Sequence, residues 1–434
     1  MSNLYGNPHS DSASSQLSTI KVFAARREVL RFFNADPILF DVVFVANATA
    51  GLKLVADAFR DINGGFWYGY HGYAHNSLVG VREVASAGAY CFESSEEVDS
   101  WLEGKDETHG YSESKVGLFA WPAQSNFSGE RLPLDWSSRV RDGWGGNIYT
   151  LLDASSYVST SPLCLADPRT TPNLTVLSFY KIFGYPPLGC LIVRKDVPRL
   201  ANILRKRKYF GGGTVSAVTC LDDQAWHAKK SGDLHRCLED GTLPFQNIIA
   251  LGHAFAIHKR LYGSMQNVAN HTLHLARKLY QELPVLCHKN GNRLACTYGA
   301  SLYTSLETQG PIVAFNLLYP SGNYIGRKLV EGNAAVHNIQ IRAGGMCNPG
   351  GVASSLGYTS TEIRDKFEIN GVGCGIGADL VGEKPTGVLR VSFGAMSSVG
   401  DVDRFLYFVR QVFLDCDENS MEGLTSEKCF IGSQ

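Results

Sequence analysis

The stretch "VLSFYKIFGYPPLGCLIV", residues 176–193, decides the fold. Two apolar strand candidates, "LTVLSF" (174–179) and "LGCLIV" (188–193), flank a short loop that carries one ammonium group, Lys181. Continuous apolar strands belong to a sheet covered on both faces. The same texture recurs in "DVVFVA" (41–46), "GAYCF" (88–92), "KVGLFAW" (115–121) and "NIYTLLDA" (147–154). Helical patterns run between them. In "NATAGLKLVADAF", for example, Leu52, Val55, Ala56 and Phe59 share one helical face. Strands alternating with helices predict an α/β fold with a mostly parallel, doubly wound sheet. From about residue 245 a long amphipathic helical stretch leads into a smaller α+β domain. Residues 1–255 are expected to form the large domain and 256–434 the small one, with a frayed polar tail after about residue 415.

The chain has 434 residues, 44% hydrophobic and 19% charged, which suits about two globular domains. Forty basic against 41 acidic residues leave a formal charge of −1. That balance gives no electrostatic basis for a nucleic acid or an anionic membrane as partner. No apolar run approaches the roughly 20 residues of a spanning helix. The opening "MSNLYGNPHSDSASSQ" is polar, unlike a secretory signal. Eleven scattered cysteines without a C-x-x-C pair predict reduced thiols and a cytoplasmic protein rather than a disulfide framework. No metal-ligand spacing is present.

In α/β sheets, ligands bind beyond the carboxyl ends of the strands. Lys181 lies just past one such end. In apolar surroundings there, its amine would lose proton affinity and become a nucleophile toward carbonyls. A single lysine of this kind is more often a snorkelling surface residue, but three further features change the reading. Asp153, in "LLDASS" (151–156), ends another apolar strand, and a buried carboxylate needs a partner. "ANATAG" (46–51) offers the amides of Ala48 and Thr49 to a phosphate at a helix N-terminus, although alone it reads as a capped helix start. "AHNS" (74–77) offers His75 as a ring that could stack on a flat cofactor, although alone it reads as a surface histidine.

With these residues in this order, the chain resembles the class V family of pyridoxal-phosphate enzymes. Within that family it resembles the cysteine desulfurases, and most closely the desulfurase-like N-terminal domain of the molybdenum cofactor sulfurases. The resemblance is carried in sequence by "GNPHS" (6–10), "NATAGLKLV" (47–55), "PAQSNFSG" (122–129), "LLDASSYVSTSPL" (151–163) and "SFYKIFGYP" (178–186). It continues through "YFGGGTV" (209–215), "LEDGTLPF" (238–245), "QGPIVAFN" (309–316), "RAGGMCNPGG" (342–351) and "GVLRVSFG" (387–394). It implies the fold type I architecture of pyridoxal-phosphate-dependent transferases, with pyridoxal 5'-phosphate as cofactor. It also implies L-cysteine or a cysteine derivative as substrate, a homodimer, and a sulfur acceptor that is a protein or the molybdenum cofactor.

Residue by residue, the resemblance implies that Lys181 binds the cofactor and moves protons, that Asp153 pairs with its pyridine nitrogen and that His75 stacks on its ring. Ala48, Thr49, Ser156 and Ser178 match cofactor-binding positions, with Thr49 and Ser178 on the phosphate. Asn126 matches the asparagine near the ring hydroxyl and the substrate. Thr242 matches a threonine that reaches the phosphate of the neighbouring subunit. Arg390 matches the arginine that holds the substrate carboxylate, a task suited to a planar bidentate donor. Cys347 matches the loop cysteine that takes sulfur from the substrate as a persulfide, leaving alanine. The four glycines of "AGGMCNPGG" predict a mobile loop around it.

The chain also departs from the pattern. Gly345 and Val352 stand where the cofactor sulfurases usually carry two further cysteines. "GYPPLG" is one residue shorter than the usual lysine loop, and Tyr180 precedes the lysine where many desulfurases have histidine. The family's pocket-lining N-terminal segment and the sulfurases' C-terminal cofactor domain are expected to be missing. Three functions compete: a cysteine desulfurase, a C–S lyase or other β-eliminating enzyme on a cysteine conjugate, and a truncated relative without turnover. Only Cys347 separates the first two.

Overall fold

The computed structural model describes residues 4–104, 109–112, 114–144, 146–221, 224–299, 302–373 and 377–418. Two compact units emerge: residues 1–123 with 132–265, and residues 124–131 with 266–434.

The first unit begins with α1 (Ala13–Phe32), β1 (Phe40–Val45), α2 (Ala48–Arg60), β2 (Phe66–His71), α3 (Asn76–Val79), β3 (Ala89–Phe92), α4 (Ser95–Leu102) and β4 (Val116–Pro122). It continues with α5 (Trp136–Gly143), β5 (Ile148–Asp153), β6 (Leu174–Ser178), α6 (Tyr180–Phe183), β7 (Gly189–Arg194) and α7 (Pro198–Arg205). The hairpin β8 (Val215–Thr219) and β9 (Trp226–Lys229), then α8 (His235–Leu238) and α9 (Phe245–Tyr262), complete it. The seven-stranded sheet has the order β1-β7-β6-β5-β4-β2-β3. Its pairings are parallel except that β7 runs against both β1 and β6. The carboxyl ends of β1, β2, β4, β5 and β6 therefore share one edge.

The sheet is buried on both faces, as its continuous apolar strands require. Along β4, Leu118 and Ala120 enter one core cluster while Phe119 and Trp121 enter the other. Each wholly buried large apolar side chain contributes about 1.5–3 kcal/mol, so alternation along these strands holds helices on both sides. All six predicted strands are present. A seventh, β2, was not anticipated: "FWYGYH" mixes aromatics with Gly69 and His71, yet all six residues are buried.

The predicted long helical stretch is two helices. Gly263 ends α9 with φ 75°, a conformation that glycine tolerates. The second helix, α10 (Met265–Glu282), carries the chain into the second unit. There follow β10 (Ala295–Tyr298), β11 (Ile312–Leu317), α11 (Arg327–Val336), β12 (Arg342–Gly344), α12 (Pro349–Leu356) and α13 (Ser360–Asn370). Then come β13 (Leu380–Val381), β14 (Lys384–Pro385), β15 (Val388–Ser392) and α14 (Val399–Phe413). Its antiparallel sheet, ordered β10-β11-β15-β12, packs Phe315 and Leu389 against Leu279, Val330, Phe405 and Val409 of the helices. Most of the predicted frayed tail, from residue 419 on, lies outside the described residues. Among the described residues, no helix is long and apolar enough to cross a membrane, and no cluster of metal-ligating side chains occurs.

Candidate active site

In the first unit, seven of the sequence-predicted residues gather at the carboxyl edge of the sheet. Asp153 is the last residue of β5 and only 8% exposed. Its Oδ1 accepts a hydrogen bond from the Ser155 backbone N–H at 2.9 Å. Among the described residues its carboxylate forms no ion pair, although buried carboxylates call for a cation. Ser156 lies in the turn that follows and is half-buried.

Ser178 ends β6, and its Oγ accepts from the Ala48 N–H at 2.9 Å, fastening the start of α2 to the sheet. The Asn47 side chain caps α2 through the Ala50 N–H at 3.0 Å. Thr49 is exposed, and its hydroxyl shares a 2.9 Å hydrogen bond with that of Ser77. Its own N–H has no partner among the described residues, so the positive end of a 13-residue helix presents an open donor. His75 caps α3, its Nδ1 accepting from the Ser77 N–H at 3.1 Å. Ser77 thus links the predicted stacking histidine to the predicted phosphate threonine, a connection the sequence reading missed.

Lys181 sits on the one-turn helix α6, just past β6, and is exposed rather than set in apolar surroundings. The apolar strand ends at Ser178 and the lysine stands beyond the sheet edge. Thr242 is also exposed. The two residues before its glycine are pinned. Glu239 pairs with Arg26 at 2.8 Å and accepts from the Phe44 N–H at 2.7 Å, and Asp240 pairs with Arg207 at 2.9 Å.

The second unit holds Asn126, Cys347 and Arg390. Arg390 lies on β15 beside Arg342 of β12, in direct register. Its Nη1 donates to the Asn126 carbonyl at 2.5 Å, while its Nε is buried without a partner among the described residues. Burial, and then the Arg342 charge, pull the Arg390 guanidinium down to about 10. Cys347 occupies the turn between β12 and α12, half-buried, with its Sγ 3.9 Å from Arg342 Nη2. Met346 and Cys347 both adopt left-handed backbone, φ 56° and 52°.

That turn is held rather than loose. Met346 is 2% exposed and packs with Phe127, Tyr298, Val352 and Val388. Asn126 Nδ2 donates to the Met346 carbonyl at 2.7 Å, and Asn126 Oδ1 accepts from Asn348 Nδ2 at 3.0 Å. Asn348 is wholly buried, and its Oδ1 caps α12 through the Gly351 N–H at 3.0 Å. Asn126 therefore spends its amide on the cysteine turn. Arg342 and Asn348 also went unremarked as single residues in the sequence, although both lie inside the quoted motif "RAGGMCNPGG".

The aminotransferase class-V family model matches residues 1–405. The molybdenum cofactor sulfurase of Aspergillus clavatus is 53% identical over 419 residues, covering 95% of this chain and 49% of that protein. The chain thus spans about half the length of the curated relatives it matches. Among solved structures, the apo cysteine desulfurase of Thermococcus onnurineus superposes with TM-score 0.66 at 18% identity, over 93% of this chain and 86% of that one. A cystine C–S lyase in complex with its product, cysteine persulfide, gives TM-score 0.65 at 13% identity, over 94% and 90%. At those identities the likeness is one of fold.

Proposed function

The chain belongs to the aminotransferase class-V family, and from that premise we propose that it is a pyridoxal-phosphate-dependent cysteine desulfurase of the molybdenum cofactor sulfurase type. The observation that carries the desulfurase reading is Cys347, a thiol held in a built turn beside the Arg342 guanidinium. A β-eliminating lyase needs a base and an electron sink but no such thiol.

The first unit's sheet edge suits the cofactor. Buried Asp153, without a counter-cation among the described residues, matches a protonated pyridine nitrogen. The Thr49 N–H and the Thr49 and Ser77 hydroxyls match a phosphate. Ser178 and Ala48 shape that corner, Ser156 borders it, His75 would lie against the ring, and Lys181 would bind the cofactor's carbonyl carbon. When bound, pyridoxal phosphate supplies an electron sink for the carbon that bears the substrate amine.

The remaining work falls to the chain's own residues. Arg390, with a buried donor to spare, binds the cysteine carboxylate. Asn126 orients that arginine through its carbonyl. The Cys347 thiolate attacks the substrate sulfur. A sulfur–sulfur bond forms as the substrate carbon–sulfur bond breaks, and the electron pair of the broken bond stays with the carbon fragment. That fragment takes up a proton delivered by the Lys181 amine and leaves as alanine, with the persulfide on Cys347.

Exposed Thr242 would complete the site of a second copy, making a homodimer. The nine described cysteines are all free thiols, which agrees with the cytoplasm. A protein or the molybdenum cofactor would accept the sulfur, in keeping with the names of the relatives. The test is to incubate the protein, loaded with pyridoxal phosphate, with L-cysteine. Alanine in step with persulfide supports the reading. Pyruvate points to a lyase, and no product to a binding protein.

A further inference from the structure

Within the cysteine turn, the guanidinium beside the thiol is not the one that binds the substrate carboxylate. Arg342 is exposed on β12, five positions before Cys347, and its Nη2 lies 3.9 Å from the thiol sulfur. The approach is built by the backbone. Two consecutive left-handed residues and the Asn348 N–H to Gly345 carbonyl bond at 3.0 Å fold the chain back on its own strand.

We propose that Arg342 is the cation that holds the Cys347 sulfur in its anionic form, a task separate from carboxylate binding by Arg390. The inference rests on the desulfurase reading for its purpose but on geometry for its substance. Two cations stand at the turn, Arg342 from β12 and, beside it on β15, Arg390. Among the described residues, neither guanidinium is paired with a carboxylate. From the next element, α12, the eight-residue helix brings no charged side chain and points its positive end at the turn. From the segment 124–131, Asn126 meets the turn with a neutral amide. A guanidinium in contact with the sulfur favours the thiolate, and Arg342 makes that contact.

The size of the effect follows from distance and exposure. A unit charge about 4 Å from a partly exposed sulfur moves thiol ionisation by roughly one pH unit. Arg342→Gln should raise the apparent pKa of Cys347 by about one unit and slow its alkylation by iodoacetamide near neutral pH by up to tenfold. Arg342→Lys should restore most of the rate. Peptide mass spectrometry must read Cys347 itself, because Cys164, Cys220 and Cys287 are exposed and alkylate as well. A purely structural loss would change how much of Cys347 reacts, not the pH at which it begins to react.

A second measurement needs no variant. Raising ionic strength screens an exposed charge, so the Cys347 alkylation profile of the unaltered protein should move to higher pH. A profile in Arg342→Gln that superimposes on the wild type, or a wild-type profile that salt leaves in place, overturns the proposal. Either result is independent of whether alanine is made from cysteine, so this inference and the desulfurase reading can fail separately.

Discussion

Asn348→Ala should uncouple the nucleophile from the fold. From a wholly buried position the Asn348 side chain caps α12 through Gly351 and donates to Asn126. Removing a helix cap of this kind costs about 1 kcal/mol, and losing a buried amide bond costs about 1 kcal/mol more. Against that stand two non-glycine residues, Met346 and Cys347, in left-handed backbone, each disfavoured by about 1–2 kcal/mol. The loss is thus comparable with the strain the turn contains. A deficit of about 2 kcal/mol lowers the population of the native turn about 30-fold relative to its alternatives. We expect alanine formation from cysteine to fall by up to that factor at saturating substrate. KM should change little, because the Arg390 bond to the Asn126 carbonyl does not involve Asn348. Asn348→Ser keeps a capping acceptor and should recover about half the lost free energy, an about fivefold deficit. Steady-state rates, with melting temperatures to score folding, decide the matter. Wild-type turnover in Asn348→Ala, or a loss that merely tracks the unfolded fraction, would refute the claim that this side chain holds the turn.

Cys347→Ser should melt like the wild type and still bind cofactor, yet release no alanine and accumulate no persulfide, because a hydroxyl is a far weaker nucleophile toward sulfur; alanine at the wild-type rate would move the lyase reading to the front. Borohydride reduction of the cofactor-loaded protein should fix the label on Lys181 in peptide maps, and a label on another lysine would refute that assignment. Asp153→Asn should retain some cofactor and lose most activity, and unchanged turnover would count against it as the partner of the pyridine nitrogen. His71 provides a pH prediction: burial pulls it down to about 4, so it is neutral in the folded protein where the unfolded chain, with an ordinary histidine, takes a proton. Its contribution is therefore fully present above the unfolded value and is lost as pH falls from about 6.5 toward 4, up to about 3 kcal/mol. Melting curves should show His71→Gln losing less stability than the wild type between pH 7.5 and 5, and parallel losses would be the contrary result.

Much of the fold was legible because the sheet is covered on both faces. Six strands announced themselves as continuous apolar runs, and Leu52, Val55, Ala56 and Phe59 on one face announced α2. β2 escaped because its burial rests on aromatics with glycine and histidine among them, a pattern hydropathy does not isolate. The break between α9 and α10 rests on one glycine, Gly263, in a stretch whose apolar spacing continues across it. The affiliation of residues 124–131 was beyond sequence pattern altogether. That segment is held in the second unit by side chains far along the chain, among them Gln309 on the Ser128 carbonyl and Arg390 on the Asn126 carbonyl. Contacts separated by well over a hundred residues leave no local periodicity to read.

The cysteine turn carries the most instructive difference. Four glycines around Cys347 read as backbone freedom, and freedom suggests a mobile loop. The structure distributes the roles otherwise. Of those four glycines only Gly344 has positive φ, at 113°, while the residues that bear the left-handed conformation are Met346 and Cys347. Gly351 is glycine for lack of room: a Cβ there would meet Asn348 Oδ1 at 2.6 Å and Phe127 at 3.2 Å, so a side chain would push aside the cap that fixes the turn. The glycine thus permits a close approach, the approach permits the Asn348 cap, and the cap with the buried Met346 side chain holds two strained residues in place. Strain kept by surrounding packing is a mark of a position whose geometry matters. A sulfur that must meet a second sulfur in line benefits from that arrangement, because a positioned nucleophile does not have to find its orientation at each turnover.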